Sequence, residues 1–226
     1  MEIITNQKSN SQVLLHELHN HNIITQPTQQ RRIVEKGSSD FDTQNYFYFI
    51  IRGKIKISQI NFENGKEQIL YMLSSDDMFD VASLLDGKER EAMIEVIEES
   101  EVLEISLQSV QELLAQEPAF QKLFFPYIAK QLRSMEDLAV DLSLYSVYQR
   151  LIHLFIRNLE QSAIKPHLKI INNLSHEEIA SMVGSVRKVV NRALQSLKNE
   201  GVINLSRKKI ELHSIQKLLN KLDFKE

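Results

Sequence analysis

Hydrophobic and polar positions change period along the chain, and each change predicts a different kind of element. Residues 12–19 (SQVLLHEL) carry a short amphipathic helical pattern. The apolar residues then come in short runs rich in β-branched and aromatic types: Arg31–Val34, Tyr46–Ile51, Lys54–Ile60, Glu67–Leu73, Ala92–Ile97 and Val102–Ile105. Runs of this length broken by turn residues predict strands. Asn64-Gly65, between the third and fourth runs, predicts a hairpin because Gly readily takes the positive φ of a tight turn. No helical period intervenes, so the expectation for this region is an antiparallel roll or sandwich.

The period then becomes helical. Val110, Leu113 and Leu114 predict a short helix ending at Pro118. Beyond it Phe125, Ile128, Leu132, Met135, Ala139 and Leu142 follow one another at steps of 3 and 4, the spacing of a narrow heptad seam. A seam this narrow is buried either against the roll or against a second copy of itself, and these six residues are read as a dimer interface. Pro126 requires that the helix start or kink there. A second helix, Val147 to Glu160, has a broad apolar face at Leu151, Leu154, Phe155 and Leu159, and the linker QSAIKPH (161–167) follows.

Leu174–Leu212 is the most informative stretch. Ser175 followed by Glu178 is a capping box, in which each side chain satisfies a backbone N–H of the first turn. Ile179, Met182 and Val183 give a short helix its buried side, and Gly184 permits a tight turn into a second helix. Ser185 is expected to cap that helix, Val190, Ala193, Leu194 and Leu197 to bury it, and Gly201 to end it. Its polar face carries Arg187, Lys188, Asn191, Gln195 and, more laterally, Arg192. A hairpin follows, Val202–Leu205 and Lys209–Leu212, with Ser206, Arg207 and Lys208 at its turn. A capped short helix, a Gly turn, a basic helix and a basic hairpin together predict a winged helix-turn-helix. In the major groove Arg and Lys donate to guanine and Asn can pair with adenine. Ser185, Arg187, Lys188, Asn191, Arg192, Gln195, Arg207 and Lys208 are the candidate DNA-binding residues. The fold class is therefore α+β: a jelly-roll-like antiparallel β-roll in residues 1–117, a long dimerisation helix in 118–145 and the winged helix-turn-helix in 146–226.

Charge strengthens this picture. The net charge is −3, but residues 146–226 hold 14 Lys and Arg against 7 Asp and Glu. A basic C-terminal third on an acidic body suits contact with a polyanion. The chain has no cysteine, which excludes disulfides, thiolate nucleophiles and cysteine-ligated clusters. No apolar stretch is long enough to span a bilayer, and the N-terminus lacks the pattern of a secretory signal, so the cytoplasm is expected. No nucleophile–base arrangement, Walker loop or His-Glu metal helix is present, so an enzyme is not expected, nor a cofactor.

The order of roll, short helix, seam helix, second helix and winged motif resembles the family of the cyclic AMP receptor protein and the fumarate–nitrate reduction regulator. The segments YFIIRGKIKISQINFENGKEQILYML, LLDGKEREA and EEIASMVGSVRKVVNRALQSLKNEGVI carry the resemblance, which runs from about Gln30 to Leu212. It implies a bacterial transcription regulator, a homodimer on an inverted-repeat operator in double-stranded DNA, with RNA polymerase as a further partner.

The chain departs from the family's pattern at specific places. Where the recognition helix of the family reads Ser-Arg-Glu-Thr-Val-x-Arg, this chain has Val186-Arg187-Lys188-Val189-Val190-Asn191-Arg192. Arg187 and Arg192 carry over, but Lys188 can only donate where a glutamate would accept. In the cyclic-nucleotide cassette, Phe79-Asp80-Val81-Ala82 stands in place of Gly-Glu-Leu, and Arg90 matches the phosphate-binding arginine while Glu91 replaces a serine. Met135 and Glu136 replace the Thr-Ser pair that meets adenine. Two carboxylates beside a cyclic phosphate disfavour the anion, so control by cyclic AMP is not expected and Arg90 remains a weak effector-binding candidate. Some relatives bind haem through histidine. His16, His19 and His21 match no metal motif and read as surface residues of the N-terminal amphipathic helix, with a haem-bound sensor as the alternative.

Overall fold

A computed structural model describes residues 29–88, 91–159, 168, 170–206 and 209–221. The predicted helix over 12–19, with His16, His19 and His21, lies outside the described residues, as do Arg90, Arg207 and Lys208. The first part of the chain forms β1 (Gln29–Val34), β2 (Tyr46–Asn61), β3 (Lys66–Ser74), β4 (Met78–Phe79), α1 (Val81–Asp86) and β5 (Met93–Ser106). The rest forms α2 (Leu107–Gln116), α3 (Pro118–Leu144), α4 (Val147–Arg157), α5 (His176–Met182), α6 (Arg187–Asn199), β6 (Ile203–Ser206), β7 (Lys209–Leu212) and α7 (Ile215–Leu219). These elements pack as two compact units, one within Met1–Ile57 and Tyr71–Arg133, the other within Ser58–Leu70 and Ser134–Glu226.

The main sheet has the order β1-β5-β2-β3, with β4 pairing on β2. β1 runs antiparallel to β5 with Arg31 opposite Leu103, and β4 antiparallel to β2 with Met78 opposite Phe49. Two pairs of predicted strands are in fact single strands. Tyr46–Ile51 and Lys54–Ile60 merge into β2, and Ala92–Ile97 and Val102–Ile105 merge into β5. The reason lies at Gly53, whose φ is +107°. It bends β2 instead of ending it, and brings the strand so close to β5 that a Cβ there would stand 2.2 Å from Ser100 Oγ. Only glycine permits both the dihedral and the approach. Ser100 Oγ then accepts from the Lys54 N–H at 3.1 Å.

Two apolar clusters fill this unit. Phe47 and Phe49 of β2 pack with Met78, Leu84, Leu103, Val110 and the α3 residues Phe120, Phe124 and Tyr127. Tyr48, Ile50, Ile55 and Ile57 point the other way and pack with Val34, Phe79, Val96 and Val102. The period-2 alternation of β2 thus supplies both clusters. Tyr127 also fixes α3 by polar contacts. Its hydroxyl donates to the Met78 carbonyl at 2.7 Å and accepts from the Met78 N–H at 2.9 Å. Burial pushes this phenol well above its ordinary value, so it stays a neutral donor.

Helix α3 begins at Pro118, where a missing N–H costs nothing, and runs through Pro126 without ending there. Of the predicted seam, Phe125 and Leu132 are 57% and 61% exposed. Ala139 is exposed too, while Ile128, Met135 and Leu142 are half-buried. Val140 and Leu144 add exposed apolar surface farther along the helix. Helix α4 is opened by a capping box between Ser146 and Gln149 and ends at Arg157, three residues short of the expectation. It buries Leu151, Ile152, Leu154 and Phe155.

Candidate nucleic-acid interface

The second unit builds a short helix, a turn and a longer helix from the local signals in 174–201. Ser175 caps α5: its Oγ accepts from the Glu178 N–H at 3.1 Å, and the Glu178 carboxylate accepts from the Ser175 N–H. Ile179 and Ala180 are buried. Gly184 turns the chain at φ +64°, and a Cβ there would stand 2.3 Å from Leu142 Cδ2. The turn is closed by the Ser185 N–H, which donates to the Ala180 carbonyl at 2.9 Å.

Ser185 does not cap the next helix. The N-cap of α6 is Val186, extended at φ −112° and ψ 149°, with no side-chain hydrogen bond to the first-turn amides. Ser185 falls one residue early because its backbone is needed to close the turn. The head of α6 therefore offers its first amides with no side-chain oxygen on them, and no acidic residue stands in the first turn. Such an end is ready for an anion.

Around that end the side chains divide cleanly. Val190, Ala193, Leu194 and Leu197 are buried. Arg187, Lys188, Arg192 and Gln195 are exposed, and Val186 and Val189 are exposed with them. Asn191 is different. It is half-buried, and its Oδ1 lies 2.5 Å from Nδ1 of His176, the first residue of α5. His176 carries no signal in the sequence, because a contact 15 residues away across a helix-turn-helix leaves none in spacing alone. Strands β6 and β7 form the antiparallel wing, with Ile203 opposite Leu212 and Ser206 opposite Lys209.

The first unit holds a cavity of about 290 Å³ lined by Phe41, Thr43, Ile57, Phe79, Asp80 and Met93, among others. The Asp80 carboxylate on its wall accepts from Ser83 Oγ at 2.5 Å. Among the described residues, no group of three or more His, Asp or Glu is placed to hold a metal ion, and no helix is long and apolar enough to cross a membrane.

Two family models match the chain: the cyclic nucleotide-binding domain over residues 34–117 and the Crp-like helix-turn-helix domain over residues 149–221. The second match takes in α5, α6 and the wing. The chain belongs to the Crp/Fnr family of transcription regulators. It is 27% identical over 186 residues to the cyclic AMP receptor protein of Thermus thermophilus, covering 81% of this chain and 83% of that one. It is 28% identical over 186 residues to the cAMP-activated global transcriptional regulator Vfr of Pseudomonas aeruginosa, covering 79% and 86%. Its fold is similar to that of a CooA mutant from Carboxydothermus hydrogenoformans, with a TM-score of 0.71 and 18% identity over 88% of this chain and 94% of that one. The Crp/Fnr relatives are DNA-binding regulators and not enzymes, and the Crp-like domain makes this chain a DNA-binding regulator of the same type. Its antiparallel-sheet domain, followed by helices and the helix-turn-helix, matches the arrangement of Crp/Fnr structures.

Proposed function

We propose that the chain acts as a homodimer on an inverted-repeat operator, with the head of α6 from each copy in the major groove, and that cyclic AMP does not control it. The observation that carries this reading is the uncapped end of α6, with Arg187, Lys188 and Arg192 exposed around it and no acid in its first turn. Uncapped amides at the helix end and exposed cationic side chains on its first two turns suit both phosphate and guanine edges. The exposed apolar positions Phe125, Leu132 and Ala139, one heptad apart on α3, support assembly with a second copy. A two-fold dimer would set two α6 helices about one turn of DNA apart. RNA polymerase as a further partner and the cytoplasm as the place of action follow from the same reading.

The Thermus and Pseudomonas relatives carry names that tie them to cyclic AMP. In this chain the cavity of the sensor unit has the Asp80 carboxylate on its wall, and a fixed negative charge opposes a cyclic phosphate. Two measurements test the proposal together. Selection from random duplexes by the full chain is expected to enrich an inverted repeat; enrichment of a single half-site, or of nothing, would refute it. Melting with millimolar cyclic AMP is expected to leave the midpoint unmoved, since a ligand of the folded state alone raises stability by RT ln(1 + [L]/Kd). A clear upward shift would overturn the cyclic AMP part.

A further inference from the structure

Asn191 stands in the second turn of α6, beside the exposed Arg187, Lys188 and Arg192. An unencumbered asparagine there would read adenine with two bonds, its oxygen accepting from N6 and its nitrogen donating to N7. Here Oδ1 lies 2.5 Å from His176 Nδ1. An oxygen facing Nδ1 makes that nitrogen the protonated donor. The Asn191 oxygen is thereby turned to α5, and the group left for DNA is the amide NH2. Resting on the DNA-binding reading above, we infer that His176 is a specificity-positioning residue: it holds Asn191 as a donor only, so that this position reads a purine N7 and does not select adenine.

The chemistry follows from the acceptor pattern of the groove. Adenine and guanine both present N7, and they differ at position 6, where adenine donates and guanine accepts. An amide NH2 aimed at N7 finds no acceptor at position 6 of adenine, so it gains no second bond there, while guanine O6 can still accept. Freed from His176, the same side chain can turn its oxygen to the base and gain the second bond with adenine. His176→Ala frees it. His176→Asn keeps a donor, Nδ2, where Nδ1 now stands, and so restores the lock. The readout is base preference at one position, which loss of fold or of general DNA affinity does not mimic.

The test is selection of random duplexes by the full-length wild type, His176→Ala, His176→Asn and Asn191→Ala, with sequencing of the bound pools. The base pair whose preference changes in Asn191→Ala marks the position read. Wild type and His176→Asn are expected to show no preference for adenine over guanine there, and His176→Ala to raise the adenine-to-guanine ratio by about fivefold or more. An adenine preference already present in the wild type, an unchanged preference in His176→Ala, or no position that answers to Asn191→Ala would overturn the inference. A wild type that enriches no sequence would instead bring down the DNA-binding reading on which it rests. Nitrogen NMR of the free protein gives a second check that needs no variant: Nδ1 of His176 is expected to carry a proton, and a bare Nδ1 would overturn the assignment.

Discussion

Arg150 of α4 donates from Nη1 to the main-chain carbonyl of Val183 at 3.1 Å, at the residue that closes α5 just before the Gly184 turn. Its other nitrogens are used as well: Nε donates to the Tyr145 carbonyl at 2.8 Å and Nη2 to the Leu142 carbonyl at 3.0 Å. One guanidinium thus satisfies the last turn of α3, the α3–α4 junction and the end of α5. Those carbonyls lack helical partners, and a planar fork of donors reaches all three where an ammonium could reach one.

Arg150→Lys should therefore lower the stability of this unit by about 1.5–3 kcal/mol, as charged hydrogen bonds are lost and carbonyls left without donors. Thermal melting of the variant against wild type measures it. An unchanged midpoint would mean that water replaces the guanidinium at no cost.

The proposed dimer rests on the exposed face of α3. Phe125 and Leu132 lie seven residues apart and are both more than half exposed. Replacing both by Asp would place carboxylates at the proposed seam and should convert dimers to monomers, with loss of operator affinity. Sedimentation of the variant showing an unaltered dimer would put the interface elsewhere. Leu142, at the same seam by spacing, instead packs on Gly184 of its own chain.

That difference shows what the sequence carries and what it does not. Local signals were legible because their cause is local. The Ser175–Glu178 box, the Gly184 turn and the buried stripe of α6 all stand where spacing places them. Features set by residues distant in sequence were not. Tyr46–Ile51 and Lys54–Ile60 read as two strands until Ser100 is seen against Gly53 between them, and β2 and β5 then run through as single strands. Ser185 reads as a cap until its backbone is found closing the turn to Ala180. His176 acquires a role only through Asn191.

A pH dependence follows at the other end of α6. Burial alone would raise the Glu200 carboxyl, but hydrogen bonds from Lys221, Ser196 and Tyr148 outweigh it and hold the group below its ordinary value. The donors stand at 2.5, 2.6 and 3.0 Å. A carboxyl depressed in the folded state stabilises it above the unfolded value, and the contribution disappears as pH falls through the folded one. Wild type should thus melt above Glu200→Gln at neutral pH, and the gap should close as the pH is taken below 4.5, the ordinary value. A gap independent of pH would assign the effect of Glu200 to packing.

If the head of α6 reads DNA, Arg187 is the residue through which that reading is tested. Fluorescence anisotropy of the full chain on a labelled duplex carrying its selected site gives the affinity of wild type and of Arg187→Ala. The variant is expected to lose about 1–3 kcal/mol, between about fivefold and 150-fold in Kd, with relaxed preference at one base pair of each half-site. An Arg187→Ala protein that binds the same site with wild-type affinity and unchanged base preference would contradict it.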